Sequence, residues 1–403
     1  MKKSMIVAAM LAMVATGANA KSATDSATIA KNKPVFTVVK QNPITSIKDQ
    51  NRSGTCWAYS TLSYFESEIL KHTGKTYDLS EMFVANKTYM DRATMAVRMH
   101  GDVSFSQGGS AYDVLYALQH YGIVPEGAMP APGTLTGDSL ANFGEFFDVM
   151  TPYVEAVAKS NAKKISSAWK SGLQGIIDSY IGKTPEKFTY QGKQYTPQSF
   201  CQNLGLNLDD YVTITSYTHH PMWSKFAVEV QDNWRWPLSY NVPMDDLCKI
   251  IDNAINNGYT VAWGGDVTED GFTRKGLGIA YDVKKVRSMA GTDADHWFKL
   301  SKDEKKEKFD SLGVNAPEVV PTQAMRQEAF DNWETTDDHG MHIYGIAKDQ
   351  NGKEYYMVKN SWGEYGDYKG TWYMTKAFVA YKTMDFMVNK NAIPKDIRKK
   401  LGI

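Results

Sequence analysis

The 403-residue chain is predicted to be an α+β protein of two lobes, a helical lobe first and a β-rich lobe later, with a helical insertion between them. Two observations carry this expectation. Apolar residues recur at helical spacing from Cys56 to about residue 180, and short β-like runs take over from about residue 258. No internal repeat or low-complexity stretch interrupts that order.

Residues 1–20 read as an export signal. Lys2 and Lys3 precede the apolar run "MIVAAMLAMVA" (5–15), and "ANA" (18–20) offers small residues for cleavage before Lys21. The run is too short to span a bilayer, and no cysteine follows the cleavage point to take a lipid. The expectation is an exported protein, periplasmic or secreted, with no membrane span. Residues 21–45 are polar and irregular, an extended lead-in.

The helical lobe is assigned to residues 46–130. From Cys56, apolar Ala58, Leu62, Phe65 and Ile69 form one stripe of a helix, stopped by Gly74. "LSEMFVANKTYMDRA" predicts a second helix opened by Ser80. "SFSQGGSAYDVLYALQHYGIVPEG" predicts a third, carrying Val114, Leu115, Leu118 and Tyr121, between a glycine pair and a Gly/Pro stop. The helical insertion is placed at 131–235. It starts with the linker "APGTLTGDS" and includes a face made by Ile165, Trp169, Leu173, Ile176 and Tyr180.

The β-rich lobe is assigned to 236–390, with runs such as "YTVAWGGDV" and "GTWYMTKAFVA". A hairpin is expected at Asp349-Gln350-Asn351-Gly352. Residues 391–403 form a C-terminal tail.

Composition narrows the function. A hydrophobic share of 42% with 12% aromatic residues supplies packed cores, and 45 basic residues balance 45 acidic ones. That balance argues against a nucleic-acid partner, because phosphate affinity needs a concentrated basic surface. Three cysteines, Cys56, Cys201 and Cys248, are too few for a disulfide framework and lack metal-ligand spacing. Cys201 and Cys248 either pair or sit in the core as small thiols.

Chemistry concentrates around "DQNRSGTCWAYS" (49–60), where Cys56 opens a helix and its sulfur meets the positive end of the helix dipole. A cysteine nucleophile also needs an imidazole and a group to orient it. "TDDHGMHIYGIA" (336–347) holds His339 and His342 at a strand start, and "KNSWGE" (359–364) holds Asn360, with Trp362 placed to shield an Asn–His hydrogen bond. Positions three apart on a strand diverge, so His339 and His342 face opposite ways and make a poor metal pair. His219-His220, before Pro221, is expected at the surface. No metal and no cofactor are implied.

Cys-Trp at a helix start, Asp-His-Gly before a strand and Asn-Ser-Trp-Gly on the next strand resemble the papain-type cysteine peptidases. The Ser53-Gly54-Thr55-Cys56-Trp57 run lacks the usual first cysteine. His339 follows Cys56 by 283 positions, against about 130–150 in the usual pattern. With "QNRSGTCW", "YNVPMDDL" (240–247) and "GGDV" (264–267), the chain is similar to the bleomycin hydrolase and aminopeptidase C group over about residues 40–403.

The resemblance implies a papain-like two-lobed fold and a thiol aminopeptidase acting on peptide substrates. By it, Cys56 is the nucleophile, His339 the base, Asn360 its orienter and Gln50 an oxyanion donor. His342 is then a packed neighbour. Gly108 and Gly109 match the glycine strand that pairs with extended substrate. Ile403 would bring the terminal carboxylate into the cleft to receive the substrate's free amine. Hexamers occur in the group, so a homo-oligomer is an expectation of resemblance alone. An endopeptidase or dipeptidyl peptidase on the same core, or a non-catalytic peptide-binding homologue, are the alternatives.

Overall fold

In the computed structural model, which describes residues 32–137, 140–289 and 294–403, the helical part is organised around α1 (Cys56–Thr73). The expected export signal lies outside the described residues. Every residue from Trp57 to Ile69 is buried, so α1 has no solvent face and runs as a central helix. Its two buried carboxylates are satisfied: Glu66 accepts hydrogen bonds from Thr45 Oγ1 and the Leu79 N–H, and Glu68 accepts one from Asn389 Nδ2.

Gly74 closes α1 at a φ of 69°, a left-handed conformation that costs a glycine nothing. Next, α2 (Glu81–Arg98) starts at Ser80, whose hydroxyl accepts the Phe83 N–H at 3.1 Å. Then α3 (Ala111–His120) opens on a reciprocal cap between Ser110 and Asp113. All three starts, and the stops of α1 and α3, fall where the sequence signals placed them, whereas α2 runs on to Arg98, past the expected stretch.

In the insertion, α4 (Gly144–Ala158) and α5 (Ala168–Ile181) pack on α2. The buried face of α5 is Leu173, Ile177 and Ile181, one residue along from the expected face. Ile165 lies before the helix and is exposed, because the helix starts only after Ser167.

The sheet begins with β1 (Thr37–Gln41), cut from the expected lead-in, and continues with β2 (Tyr211–Thr215). Thus the chain rejoins the sheet well before residue 235, the expected end of the insertion. After α6 (Met244–Asn256) come β3 (Val261–Gly265), β4 (His339–Lys348), β5 (Glu354–Lys359), β6 (Thr371–Thr375) and β7 (Thr383–Asn389). The central order is β2-β7-β3-β4-β5-β6, antiparallel throughout. Along one edge of β4, β3 pairs with His339–Ile343 and β1 with Gly345–Lys348, while β5 takes the other edge.

Between β3 and β4 the chain leaves the sheet for a group of short helices built on Val286, Trp297 and Phe309. This excursion, added to the insertion, accounts for the long spacing between Cys56 and His339. The hairpin at 349–352 joins β4 to β5, with Asp349 Oδ1 accepting the Asn351 and Lys353 N–H groups. Across the middle of the molecule α1 packs on β4 and β3, so the first turn of the central helix faces the start of β4.

The C-terminal tail differs from expectation. It forms α7 (Lys395–Leu401), whose Ile397 and Leu401 are buried in the sheet-lobe core. Apolar residues four apart fall on one face of a helix, and burying that face removes both side chains from water. Cys201 and Cys248 are free thiols in different cores, near the carbonyls of Leu118 and Lys376. Among the described residues, no helix is long and apolar enough to cross a membrane.

Candidate active site

Cys56 is the first residue of α1, and neither an acidic side chain in the first turn nor a side-chain cap competes for the free N–H groups there. The sulfur therefore meets the positive end of the central helix. His339 is the first residue of β4 and lines the same cavity as Cys56. This juxtaposition depends on Gly340. A Cβ there would lie 2.6 Å from Ser60 Oγ and 3.2 Å from Trp57 Cα, so only glycine lets β4 press against the first turn of α1. The Gly340 backbone hydrogen-bonds the Cys56 thiol.

Asn360 follows β5 directly, and its Oδ1 stands 2.8 Å from His339 Nε2. The same oxygen accepts the Ser361 N–H at 2.8 Å, which fixes the amide orientation. With its Nε2–H donated to Asn360, the ring keeps the Nδ1 lone pair to take a proton from sulfur. The indole of Trp362 covers the imidazole at 4.9 Å and is itself packed edge-on against Trp372.

Burial governs the charges. It raises the Cys56 thiol to about 11, with the Asp337 and Asp232 carboxylates adding to the rise. It lowers the His339 imidazole to about 4, against the help of Asn360. A lone thiolate or a lone imidazolium is therefore disfavoured. A proton passed from sulfur to ring leaves the net charge of the cavity unchanged, and the helix amides receive the thiolate.

Gln50 is buried and tied to the segment after Asn360. Its Oε1 accepts from Ser361 Oγ at 2.6 Å, and its Nε2 donates one proton to the Ser53 carbonyl at 2.7 Å. It does not line the cavity; its second amide proton is the one left for an oxyanion.

Gly108 and Gly109 do line the cavity. A Cβ on Gly108 would lie 1.9 Å from Asp232 Oδ2, and one on Gly109 would lie 2.8 Å from the Trp57 ring. The buried Arg92 guanidinium locks this arrangement, donating to the Gly108 carbonyl at 2.6 Å and pairing with Asp232 at 3.1 Å.

Ile403 is placed elsewhere. It follows the helix that is packed into the sheet lobe, its N–H donates to the Arg398 carbonyl, and it does not line the cavity.

The sequence reasoning missed an acidic wall: Asp232, Asp337, Asp338 and Asp385 all line the cavity. Burial raises Asp337 well above the ordinary carboxylate range, with Asp232 and Asp385 adding to the rise, and burial brings Asp385 to about 6. One signal was readable, the charge at Asp385 inside the apolar run "TMDFMV". His342 is fully buried, with Nδ1 2.9 Å from Ser63 Oγ. His219 and His220 are partly exposed beside Glu229.

The chain matches the Peptidase C1-like family over residues 2–402. It is similar to aminopeptidase G of Lactobacillus delbrueckii subsp. lactis, at 23% identity over 89% of this chain and 84% of that one. It is similar to aminopeptidase C of Lactobacillus helveticus, at 24% identity over 90% and 85%. It also resembles bleomycin hydrolase of Rattus norvegicus, at 22% identity over 92% and 86%. Among solved structures, PepW from Lactobacillus rhamnosis superposes with a TM-score of 0.65 at 19% identity, covering 99% of this chain and 95% of that one, and so shares the fold.

Proposed function

We propose, from the premise that this chain belongs to the Peptidase C1-like family, that it is a cysteine aminopeptidase removing N-terminal residues from peptides. The observation that carries the proposal is the single cavity holding Cys56 at a helix start and His339, itself bound to Asn360, beneath an acidic wall. Relatives named as aminopeptidases support the exopeptidase reading.

In the mechanism, the Cys56 proton moves to His339 Nδ1 and the sulfur attacks the scissile carbonyl carbon. The oxyanion is held by the Cys56 backbone N–H and the remaining Gln50 amide proton. His339 gives its proton to the leaving nitrogen as the C–N bond breaks, leaving a thioester. Water then attacks the thioester, its proton passing to Nδ1. The C–S bond breaks, and the proton returns to sulfur. Asn360 keeps the ring in register through both halves, and Trp362 keeps water from their hydrogen bond.

The substrate backbone lies along Gly108–Gly109. Its free ammonium is received by the acidic wall, with Asp385 as the principal acceptor. The segment at 1–20 supports a place outside the cytoplasm, periplasmic or secreted.

The position of Ile403 favours a second reading, an endopeptidase, because no terminal carboxylate restricts the cavity to chain ends. One comparison separates the two. An aminopeptidase cleaves a free-amino aminoacyl amide and leaves its N-acetyl counterpart intact. Equal cleavage of both sinks the aminopeptidase reading. Loss of both activities in Cys56→Ala ties either result to this site.

A further inference from the structure

His219 and His220 lie in the loop after β2, and Glu229 lies nine residues beyond His220. The three side chains converge. His219 Nε2 stands 3.0 Å from one Glu229 carboxylate oxygen, and His220 Nε2 stands 2.9 Å from the other. All three candidate donor atoms lie within 4.8 Å of one another. Among the described residues this is the only such convergence of His, Cys, Asp and Glu side chains. We propose that His219, His220 and Glu229 form a zinc-binding site, with water completing a four-coordinate shell.

The donor chemistry suits that ion. Two imidazole nitrogens and one carboxylate are a set that zinc takes at about 2.0–2.2 Å per bond, in sites that keep one open position for water. A tetrahedron with such bonds sets its donors about 3.4 Å apart, so the carboxylate need withdraw only slightly to admit the ion.

The rings are held before any ion arrives. The imidazole of His220 stacks on Phe226 at 4.2 Å, and that of His219 lies parallel to Phe330 at 5.6 Å. Behind the ring, His219 Nδ1 lies 3.0 Å from Gln327 Nε2 and 3.3 Å from Gln327 Oε1, so this amide braces the imidazole on the side away from the metal position. Gln327 is fixed in turn, accepting the Thr218 N–H at 2.6 Å and donating to Asp331. The loop backbone is tied as well, since Asn241 Nδ2 donates to the carbonyls of Tyr217, His220 and Pro221. Fixed rings, a second neighbour behind one of them and a pinned backbone are what lower the entropy of binding an ion.

The site also has a structural address. Glu229 stands between Val228 and Val230, both of which line the catalytic cavity together with Asp232. Zinc held at Glu229 would staple the cavity's outer segment to the loop after β2, so occupancy should stiffen the wall that faces substrate.

The test uses the full chain carrying Cys56→Ala, which removes the thiol as a competing zinc ligand. After chelator treatment, equilibrium dialysis against zinc chloride should show one zinc per chain. Cobalt(II) substituted at the same site should give the intense visible absorption of four-coordinate geometry. Adding His220→Ala or Glu229→Gln should each weaken binding by about tenfold or more. Glu229→Gln keeps the side chain's shape and hydrogen-bonding reach at a half-exposed position, so its fold is preserved, and circular dichroism checks it. Absence of stoichiometric zinc, or zinc retained equally by both variants, overturns the proposal.

Discussion

His339 Nε2 stands 2.8 Å from Asn360 Oδ1 under the Trp362 indole, although one residue opens β4 and the other directly follows β5. The pairing of β4 with β5, in which His342 lies opposite Lys359, carries the start of one strand to the end of the other. A hydrogen bond this well covered fixes both the tautomer and the direction of the ring. Asn360→Ala should therefore lower kcat by about 10²-fold with little change in Tm, since only the aim of the ring is lost. A kcat within twofold of the parent removes Asn360 from the mechanism.

Cys56→Ala should abolish turnover, by more than about 10³-fold, while the chain stays folded, because the side chain opens a helix and caps nothing. Turnover within tenfold of the parent would put the nucleophile elsewhere.

His339→Ala and His342→Ala should separate activity from stability. His339→Ala should cost at least about 10²-fold in kcat, the scale of a lost general base. His342 is fully buried and hydrogen-bonded to Ser63, so His342→Ala should lower Tm and leave kcat within about tenfold. The opposite ranking in steady-state kinetics would exchange their roles.

Gly108→Ala should cut kcat/KM by about 10²-fold, because the added methyl meets Asp232 at 1.9 Å and must displace either the acid or the strand. Asp232→Ala in the same chain should restore part of the loss. No rescue would place the damage in the backbone rather than at the acid.

Acid should weaken the grip on free amines. Burial raises Asp385 to about 6, so its negative charge is present above that pH and lost as pH falls through it. A substrate α-ammonium, with a usual value near 8, stays charged throughout. KM for a free-amino substrate should rise several-fold from pH 7 to pH 5, and Asp385→Asn should flatten that profile. A rise that persists unchanged in Asp385→Asn would relieve this carboxylate of the task.

Removing Gly402 and Ile403 should leave the preference for free amines intact, since both lie beyond the C-terminal helix and outside the cavity. Cleavage of N-acetyl substrates by the shortened chain would return the amine contact to the terminus.

The local chemistry of this protein was legible in its sequence, because caps, stops and hairpins depend on residues within a few positions of one another. Ser80, Gly74 and the Asp349–Gly352 turn announced their roles, and Cys56, His339 and Asn360 could be singled out as a set from short motifs. Distant encounters were not legible. That Asp232, Asp337 and Asp385 share a cavity with the thiol depends on strand register and on a loop closing from far along the chain. That Arg92 locks the glycine pair depends on the packing of α2. The tail shows the same limit: its spacing allowed either a groove or a helix, and only burial of Ile397 and Leu401 in the sheet-lobe core decided for the helix. Local conformation follows from neighbouring residues, whereas burial, and with it each carboxyl's affinity for a proton, follows from which surfaces meet in three dimensions.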